Sequence, residues 1–370
     1  MNAMTAREGL SNTSSYVPDC WYVVAWDYEL PVSKAISRQL LEQQLVLYRN
    51  VRGEVVALED RCVHRFAPLS LGRIEGDDIR CLYHGLKFGP TGRCVEIPNQ
   101  DLIPERAAVR SYPVIERESW IWVWMGAPAA ADPALIPQTV GLQHPDWRMK
   151  SGQMDIEANW ELLNDNLCDL SHLAYVHPAT LGRGAPSWAD SLPVTTRLPR
   201  GIRSERWLPG SKIPGPDGKD VAVDQWNSYD FLAPGIFLLE NRSYPDGTAA
   251  RLDFKAPGEL EPITALFSTQ AVSPISERLT RYFYSIGPSA RTSTPHQIDA
   301  IFRMAEAAFE EDRVMETAQQ RILDRDPSRR MLTISTDLAL NAMRKIMREI
   351  ASSEGSAVQD QQVREQGGSQ

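Results

Sequence analysis

The chain has 370 residues, 42% of them hydrophobic and 24% charged, with a formal net charge of −9. That length suggests about two domains; the acidic balance leaves no basic footprint for nucleic acid, and no window reaches the ~18 apolar residues of a membrane span. Five cysteines are too few for a disulfide framework, and "MNAMTAREGLSNTSSYV" lacks the charged-then-apolar order of a signal peptide, so a cytoplasmic protein with reduced thiols is expected.

Residues 1–15 are polar and are expected to be mobile. "CWYVVAWDYELP" reads as a strand entering a turn. From about 44 to 127, short runs such as "LVLYRN", "VVALED", "IRCLYHGLKF" and "WIWVWMG" alternate with Gly, Asp and Pro turns, the pattern of a small all-β unit. With the preceding strand this makes a first domain over 16–130, closed by the linker "APAAADPALIP". A second domain, 131–351, opens with a helical period at Trp160, Leu163 and Leu167. It returns to strand-like runs over 195–290, and closes on a long amphipathic helix, "DAIFRMAEAAFEEDRVMETAQQRIL", and a second, "LALNAMRKIMREI". The fold class is thus α+β. The tail, 352–370, carries too few apolar residues to pack, and disorder is expected.

Two clusters carry chemistry. In the first, Cys62-x-His64 is followed sixteen residues later by Cys81-x-x-His84. Each pair can bring two ligands to one loop tip, and a zinc ribbon would accept the resulting Cys₂His₂ set. Both pairs run Cys then His, so each loop gives one sulfur and one nitrogen. A Rieske [2Fe–2S] centre needs that division, with two thiolates on one iron and two imidazoles on the other. Between Arg61 and Arg93 lie six basic residues (Arg61, Arg65, Arg73, Arg80, Lys87, Arg93) against three acidic ones. They either steer an acidic electron donor to the cluster or brace the loops.

The second cluster is "NWELLNDNLCDLSHLAYVHP". Read as one helix, it sets Asp165, Asp169 and His172 on a face opposite Trp160, Leu163 and Leu167, and ends near His177 before Pro178. Two histidines five apart are often no more than a surface helix end. Here, however, four of the chain's six histidines fall in the two clusters. Two histidines and a carboxylate on one side of an iron leave positions open for oxygen and substrate. The carboxylate is sought in "AIFRMAEAAFEEDRVMETAQQ". There Asp312 interrupts an apolar stripe of Ile301, Met304, Ala305, Ala308, Phe309 and Met315, a costly position unless the group is paired or metal-bound. Glu316 is the second choice. Glu310 and Arg313 point away.

The segments "CVHRFAPLSLG" and "CLYHGLKFGPTGRC" resemble the Rieske domain of the Rieske non-haem iron oxygenases. With "NDNLCDLSHLAYVHP" and "FEEDRVMETAQQ", the resemblance extends over about residues 20–350. It looks closest to the branch of vanillate O-demethylase oxygenase components, dicamba monooxygenase and toluenesulfonate methyl-monooxygenase. It implies a Rieske domain with ligands Cys62, His64, Cys81 and His84, and a helix-grip catalytic domain holding Fe(II) on His172, His177 and Asp312. It further implies a homotrimer without β subunits. A separate reductase, sometimes through a ferredoxin, supplies electrons from NAD(P)H. Asp169 is then no ligand: it bridges His84 of one subunit to His172 of the next, with Asn166 beside the iron. The implied reaction uses O₂ to O-demethylate or N-dealkylate a small aromatic compound, releasing an aldehyde. Ring hydroxylation is the enzymatic alternative, and a Rieske electron carrier the non-enzymatic one. The substrate wall is sought among Trp226, Asn227, Tyr229, Phe237, Tyr282 and Tyr284.

Overall fold

In the computed structural model, the described residues are 16–182, 188, 191–214 and 219–367, with side chains of the last helix described through Ser352. The expected mobile segment, 1–15, lies outside them. The N-terminal part is built from β1 (Cys20–Trp26), β2 (Ile36–Leu40), β3 (Gln43–Arg49), β4 (Val55–Glu59), β5 (Arg73–Glu75), β6 (Asp78–Arg80), β7 (Lys87–Phe88), β8 (Cys94–Glu96), β9 (Ser111–Tyr112), β10 (Val114–Arg117) and β11 (Trp120–Met125). They form three antiparallel sheets, ordered β1-β11-β10, β2-β3-β4-β9 and β5-β6-β7-β8. One cluster loop joins β4 to β5. The other leaves β6 and returns as β7.

Every residue of β1 and β11 is buried, because both faces of this sheet are covered. Trp21, Val23 and Trp26 of β1 and Trp120, Trp122 and Trp124 of β11 pack with Ile236, Ala271 and Phe283 of the second domain. Cys20, Tyr22, Val24 and Ala25, with Ile121, Val123 and Met125, enter the main core. Period-two alternation would send Trp26 to the wrong side of Trp21 and Val23. A register shift between Val23 and Ala25 corrects the phase. Further bonds join the domains: Ser273 Oγ donates to Val23 O at 2.6 Å and Leu41 N to Pro274 O at 2.8 Å.

The second domain runs β12 (Lys150–Ile156), α1 (Trp160–Cys168), α2 (Leu173–Val176), β13 (Val194–Leu198), β14 (Gly201–Pro214), β15 (Asp220–Leu232), β16 (Ile236–Pro245), α3 (Thr248–Arg251), β17 (Thr264–Ser276), β18 (Leu279–Pro288), α4 (Pro295–Arg325) and α5 (Leu338–Gly367). Its seven strands form one antiparallel sheet, β12-β18-β17-β16-β15-β14-β13. α1, α4 and α5 lie on one face, and their buried apolar residues (Leu163, Phe309, Met343) join Tyr229, Phe231, Phe237, Tyr282 and Tyr284 of the sheet in one core. α5 continues to Gly367, past the expected start of a disordered tail at 352, and residues 368–370 lie outside the described set. Among the described residues no helix is long and apolar enough to cross a membrane.

Two local expectations differ from the structure. The helix expected to run to His177 stops at Cys168. Asp169 leaves helical geometry (φ −120°, ψ 93°), and its side chain caps the following turn by accepting Ser171 N at 2.8 Å. A short-chain carboxylate that satisfies a nearby N–H favours such a break. The stripe of α4 is also narrower than expected. Met304 and Met315 are 40% and 49% exposed, while Ala305, Ala308 and Phe309 are buried.

Candidate functional site

The cluster loops repeat one hydrogen-bond pattern. Cys62 N donates to Ala67 O at 2.9 Å and Phe66 N to Cys62 O at 2.9 Å; Cys81 N donates to Leu86 O at 2.8 Å and Gly85 N to Cys81 O at 3.1 Å. The fifth residue of each turn is left-handed, Phe66 at φ 58° and Gly85 at φ 77°. Glycine takes that conformation without cost, and at Gly85 a Cβ would sit 2.9 Å from the Pro98 ring. Phe66 adopts it under strain, with its ring exposed and the Arg61 guanidinium 5.2 Å above it. Buried Asp60 holds the first loop by accepting Ser70 N (2.7 Å), Ser70 Oγ (2.6 Å) and Ser37 Oγ (2.8 Å). Arg80 holds the second, donating to Gly85 O at 2.7 Å and to both oxygens of Glu96.

Within this frame the thiols point inward and the imidazoles outward. Cys62 and Cys81 are buried, and burial is the chief cause that pushes the Cys62 thiol up to about 11. The backbone N–H groups of His64 and Arg65 face its sulfur. His64 and His84 are exposed, their rings 4.5 Å apart. Phe66, Leu82 and Tyr83 on the same two loops are exposed as well, and the Tyr83 ring lies 4.0 Å from that of His84. Most of the basic residues in this region are spent internally. Arg80 and Lys87 pair with Glu75 and Glu96, Arg73 with Glu75, and Arg61 with Glu59. Bracing therefore accounts for four of the six.

The second site is assembled across long sequence separations. His172 ends the one-turn helix that follows Asp169, His177 ends α2, and Asp312 faces both from α4. His177 Nε2 lies 3.1 Å and His172 Nε2 3.6 Å from Asp312 Oδ1. One ligand atom from each of the three falls within 4.8 Å of the others, the only grouping of this kind among the described residues. The far ring nitrogens are occupied: His172 Nδ1 faces the backbone carbonyl of Asp169 at 2.5 Å, and His177 Nδ1 faces Glu311 Oε2 at 2.7 Å. With Nδ1 so engaged, both Nε2 atoms are free to serve as ligands. Asn166 Nδ2 donates to Asp312 Oδ1 at 3.0 Å. Burial lowers the pKa of His172 despite the Asp312 charge. For His177 burial pulls the same way, but the Asp312 hydrogen bond and charge, then Glu311, outweigh it and raise the value. The donor set and its convergence fit one iron with open positions.

A small cavity beside Asp312 is lined by Ile156, Leu163, Asn166, Leu167, Tyr282, Phe309 and Glu316. Glu316 is 3% exposed, one of its oxygens has no partner, and burial, then Asp312, raises its pKa far above the carboxylate range. The sheet face below is polar in patches: Tyr282 OH donates to Gln270 Oε1, Gln270 Nε2 to Ser268 Oγ, and Asn241 Nδ2 to Asn227 Oδ1. Of the residues sought for a substrate wall, Trp226 does not belong, because it packs with Trp207 and Tyr244 in a separate cluster. Asp165, expected on the face of His172, instead pairs with Arg344. Two residues were not anticipated, Glu311 and Thr180, whose Oγ1 donates to Glu311 Oε2 at 2.7 Å. The adjacency of Glu311 to Asp312 was the one available signal.

An all-β module with paired Cys/His loops, joined to a helix-covered antiparallel sheet with a two-histidine, one-carboxylate site, defines the class of Rieske non-haem iron oxygenases. Residues 20–113 match the Rieske [2Fe-2S] domain family and residues 156–353 the vanillate O-demethylase oxygenase C-terminal domain family, and the chain belongs to the latter. It is 39% identical over 347 residues to the iron-sulfur subunit of the toluene-4-sulfonate monooxygenase system of Comamonas testosteroni, covering 92% of this chain and 98% of that one. It is 31% identical to the oxygenase component of chloroacetanilide N-alkylformylase from Rhizorhabdus wittichii, covering 92% and 97%. The crystal structure of dicamba monooxygenase with non-heme iron and dicamba superposes with a TM-score of 0.76 at 28% identity, over 93% of this chain and 100% of that one. The protein is therefore an enzyme, the oxygenase component of a multicomponent Rieske monooxygenase, with a [2Fe–2S] cluster and a mononuclear iron as cofactors. Its electrons come from a separate component.

Proposed function

We propose that this enzyme O-demethylates or N-dealkylates a small aromatic compound in the cytoplasm, as a homotrimer fed by an NAD(P)H-dependent reductase. Cys62, His64, Cys81 and His84 hold the cluster; His172, His177 and Asp312 hold the iron. The observation that carries the reading is the convergence of both histidine Nε2 atoms on Asp312 beside a cavity lined by apolar and aromatic side chains. When bound, the iron supplies the activation of O₂ with electrons delivered by the cluster. Asn166 orients Asp312 through its amide. Leu163, Leu167, Ile156 and Phe309 keep bulk water from the reacting carbon, and the hydrogen-bonded row of Tyr282, Gln270 and Ser268 offers a polar wall for the aromatic ring's substituents. Hydroxylation of a methyl on oxygen or nitrogen gives a hemiacetal or hemiaminal, which collapses to an aldehyde and the dealkylated product.

The trimer reading draws support from the exposed imidazoles and the exposed apolar side chains of the same loops, Phe66, Leu82 and Tyr83, a surface suited to docking. Asp169 would link His84 of one subunit to His172 of the next. The substrate class follows the relatives, whose names record an aryl sulfonate and an N-alkyl anilide. The test is product analysis with a reconstituted reductase across methoxy- and N-alkyl-aromatics. Formaldehyde or another aldehyde, in proportion to O₂ consumed, is expected. A diol, or a ring-hydroxylated product that keeps its O- or N-alkyl group, with no aldehyde released, would replace dealkylation with ring attack.

A further inference from the structure

We propose that Glu311 is a positioning residue of the mononuclear site: by accepting the Nδ1 proton of His177 it fixes that ring with Nε2 toward the metal and makes His177 the stronger donor of the two imidazoles. The inference rests on the assignment of His172, His177 and Asp312 as iron ligands. Consecutive residues of α4 grip one imidazole from both ends. Asp312 Oδ1 lies 3.1 Å from His177 Nε2, and Glu311 Oε2 lies 2.7 Å from His177 Nδ1. An ionised carboxylate can only accept, so the bond to Glu311 places the ring proton on Nδ1 and leaves the Nε2 lone pair for the metal.

The two histidines are backed differently. Behind His172 stands a neutral backbone carbonyl, that of Asp169; behind His177 stands a carboxylate. A charged acceptor raises the basicity of the ligand in front of it more than a neutral one does. The main chain at His177 is held as firmly as the ring. Its carbonyl accepts Thr180 N at 3.1 Å and Gly182 N at 2.9 Å, and a Cβ on Gly182 would lie 2.2 Å from Leu173 O. Thr180 Oγ1 donates to the same oxygen of Glu311 at 2.7 Å. The competing role for Glu311 is therefore a latch between this loop and α4, with no effect on the ligand.

The experiment uses the full-length holoenzyme and the variants Glu311→Gln, Thr180→Val and His177→Ala. Mononuclear metal is removed with a mild chelator, and Co(II) is titrated back while its visible ligand-field spectrum is followed. Glu311→Gln keeps the size of the side chain and removes its charge. It should weaken Co(II) binding roughly 10- to 100-fold and shift the Co(II) bands, with the Rieske absorption and the melting temperature unchanged. Thr180→Val, which cuts only the latch, should bind Co(II) as the wild type does. The proposal is overturned if Glu311→Gln binds Co(II) with wild-type affinity and spectrum. It is also overturned if Thr180→Val weakens binding as much as Glu311→Gln. His177→Ala separates the levels: if it still binds Co(II) like the wild type, the ligand assignment itself falls. If it loses the metal while Glu311→Gln does not, only the role of Glu311 is lost.

Discussion

The two metal regions use the same side chain in opposite surroundings. His64 and His84 stand exposed at loop tips above buried thiols, whereas His177 is 1% exposed and His172 19%, each with its second nitrogen already engaged. An electron-delivering group must be reached by other molecules, and a site that handles O₂ must be shielded from water. The difference shows what each region needs from the rest of the fold. The cluster region needs two rigid turns and their local braces. The iron region needs α1, α2 and α4 to meet across the sheet.

The largest expected effect comes from joining the two regions. Asp169 is half-buried, at the break between α1 and the turn that carries His172, and its carbonyl faces His172 Nδ1. Asp169→Asn should retain all three irons and the cluster spectrum, since neither cluster loop nor iron ligand is changed. The backbone contact to His172 is kept, but turnover should nevertheless fall, on the order of 100-fold, as the charge-assisted hydrogen bond proposed between the Asp169 carboxylate and His84 of the next subunit gives way to a neutral one. Iron analysis with single-turnover oxidation of the reduced cluster measures this. Loss of one iron in Asp169→Asn would instead make Asp169 a ligand. Mixed trimers of a Cys81→Ala chain and a His172→Ala chain should recover part of the activity if transfer crosses between subunits.

The same contrast explains what could be read from the sequence. Cys62-x-His64 and Cys81-x-x-His84 are local, each pair within one turn, so spacing alone exposed them. Asp312 was legible because a carboxylate inside an apolar stripe needs a partner. The break at Asp169 was not, because helical periodicity continues through 172 and only the side-chain cap on Ser171 N interrupts it. Nor was Glu311: its side chain is 34% exposed, and its partner His177 comes from a separate element more than a hundred residues earlier. The pairing of Arg80 and Lys87 with Glu96 was hidden for a related reason, since Glu96 lies beyond the stretch whose charges were counted.

A smaller effect tests the brace of the exposed region. Arg80 donates to Gly85 O beside the second cluster loop. Its hydrogen bonds are the first cause holding Glu75 and Glu96 at about 2, below the ordinary 4.5. Depressed carboxyl values stabilise the folded state above the ordinary carboxylate range, and that contribution is lost as pH falls from there through about 2. Arg80→Met should therefore bleach the cluster at a higher pH than the wild type when acid is titrated in. It should also lower the thermal midpoint at neutral pH, consistent with about 1–2 kcal/mol for a lost charged hydrogen bond to Gly85 O. Unchanged bleaching in both assays would mean that the loop holds itself without Arg80.

The smallest expected effect concerns salt. Counted along the sequence, the segment from Arg61 to Arg93 carries three more basic than acidic residues, enough to suggest electrostatic steering of an acidic electron donor. In the folded protein Arg61, Arg73, Arg80 and Lys87 are each ion-paired, sharing Glu59, Glu75 and Glu96 among them. Among the described residues, Arg65 and Arg93 are the members left without an ion pair. What surrounds the imidazoles is apolar instead: Phe66, Leu82 and Tyr83. Contacts of that kind do not depend on the Debye length, which shrinks from about 10 Å at 0.1 M to about 3 Å at 1 M. Stopped-flow reduction of the cluster by its reductase should thus slow only about twofold between 0.1 and 0.5 M salt, far short of the steep fall that steering by several charges produces. A tenfold loss would show that Arg65 and Arg93 suffice to steer the donor. The exposed region would then recruit its partner by charge, and its apolar surround would be left for the neighbouring subunit alone.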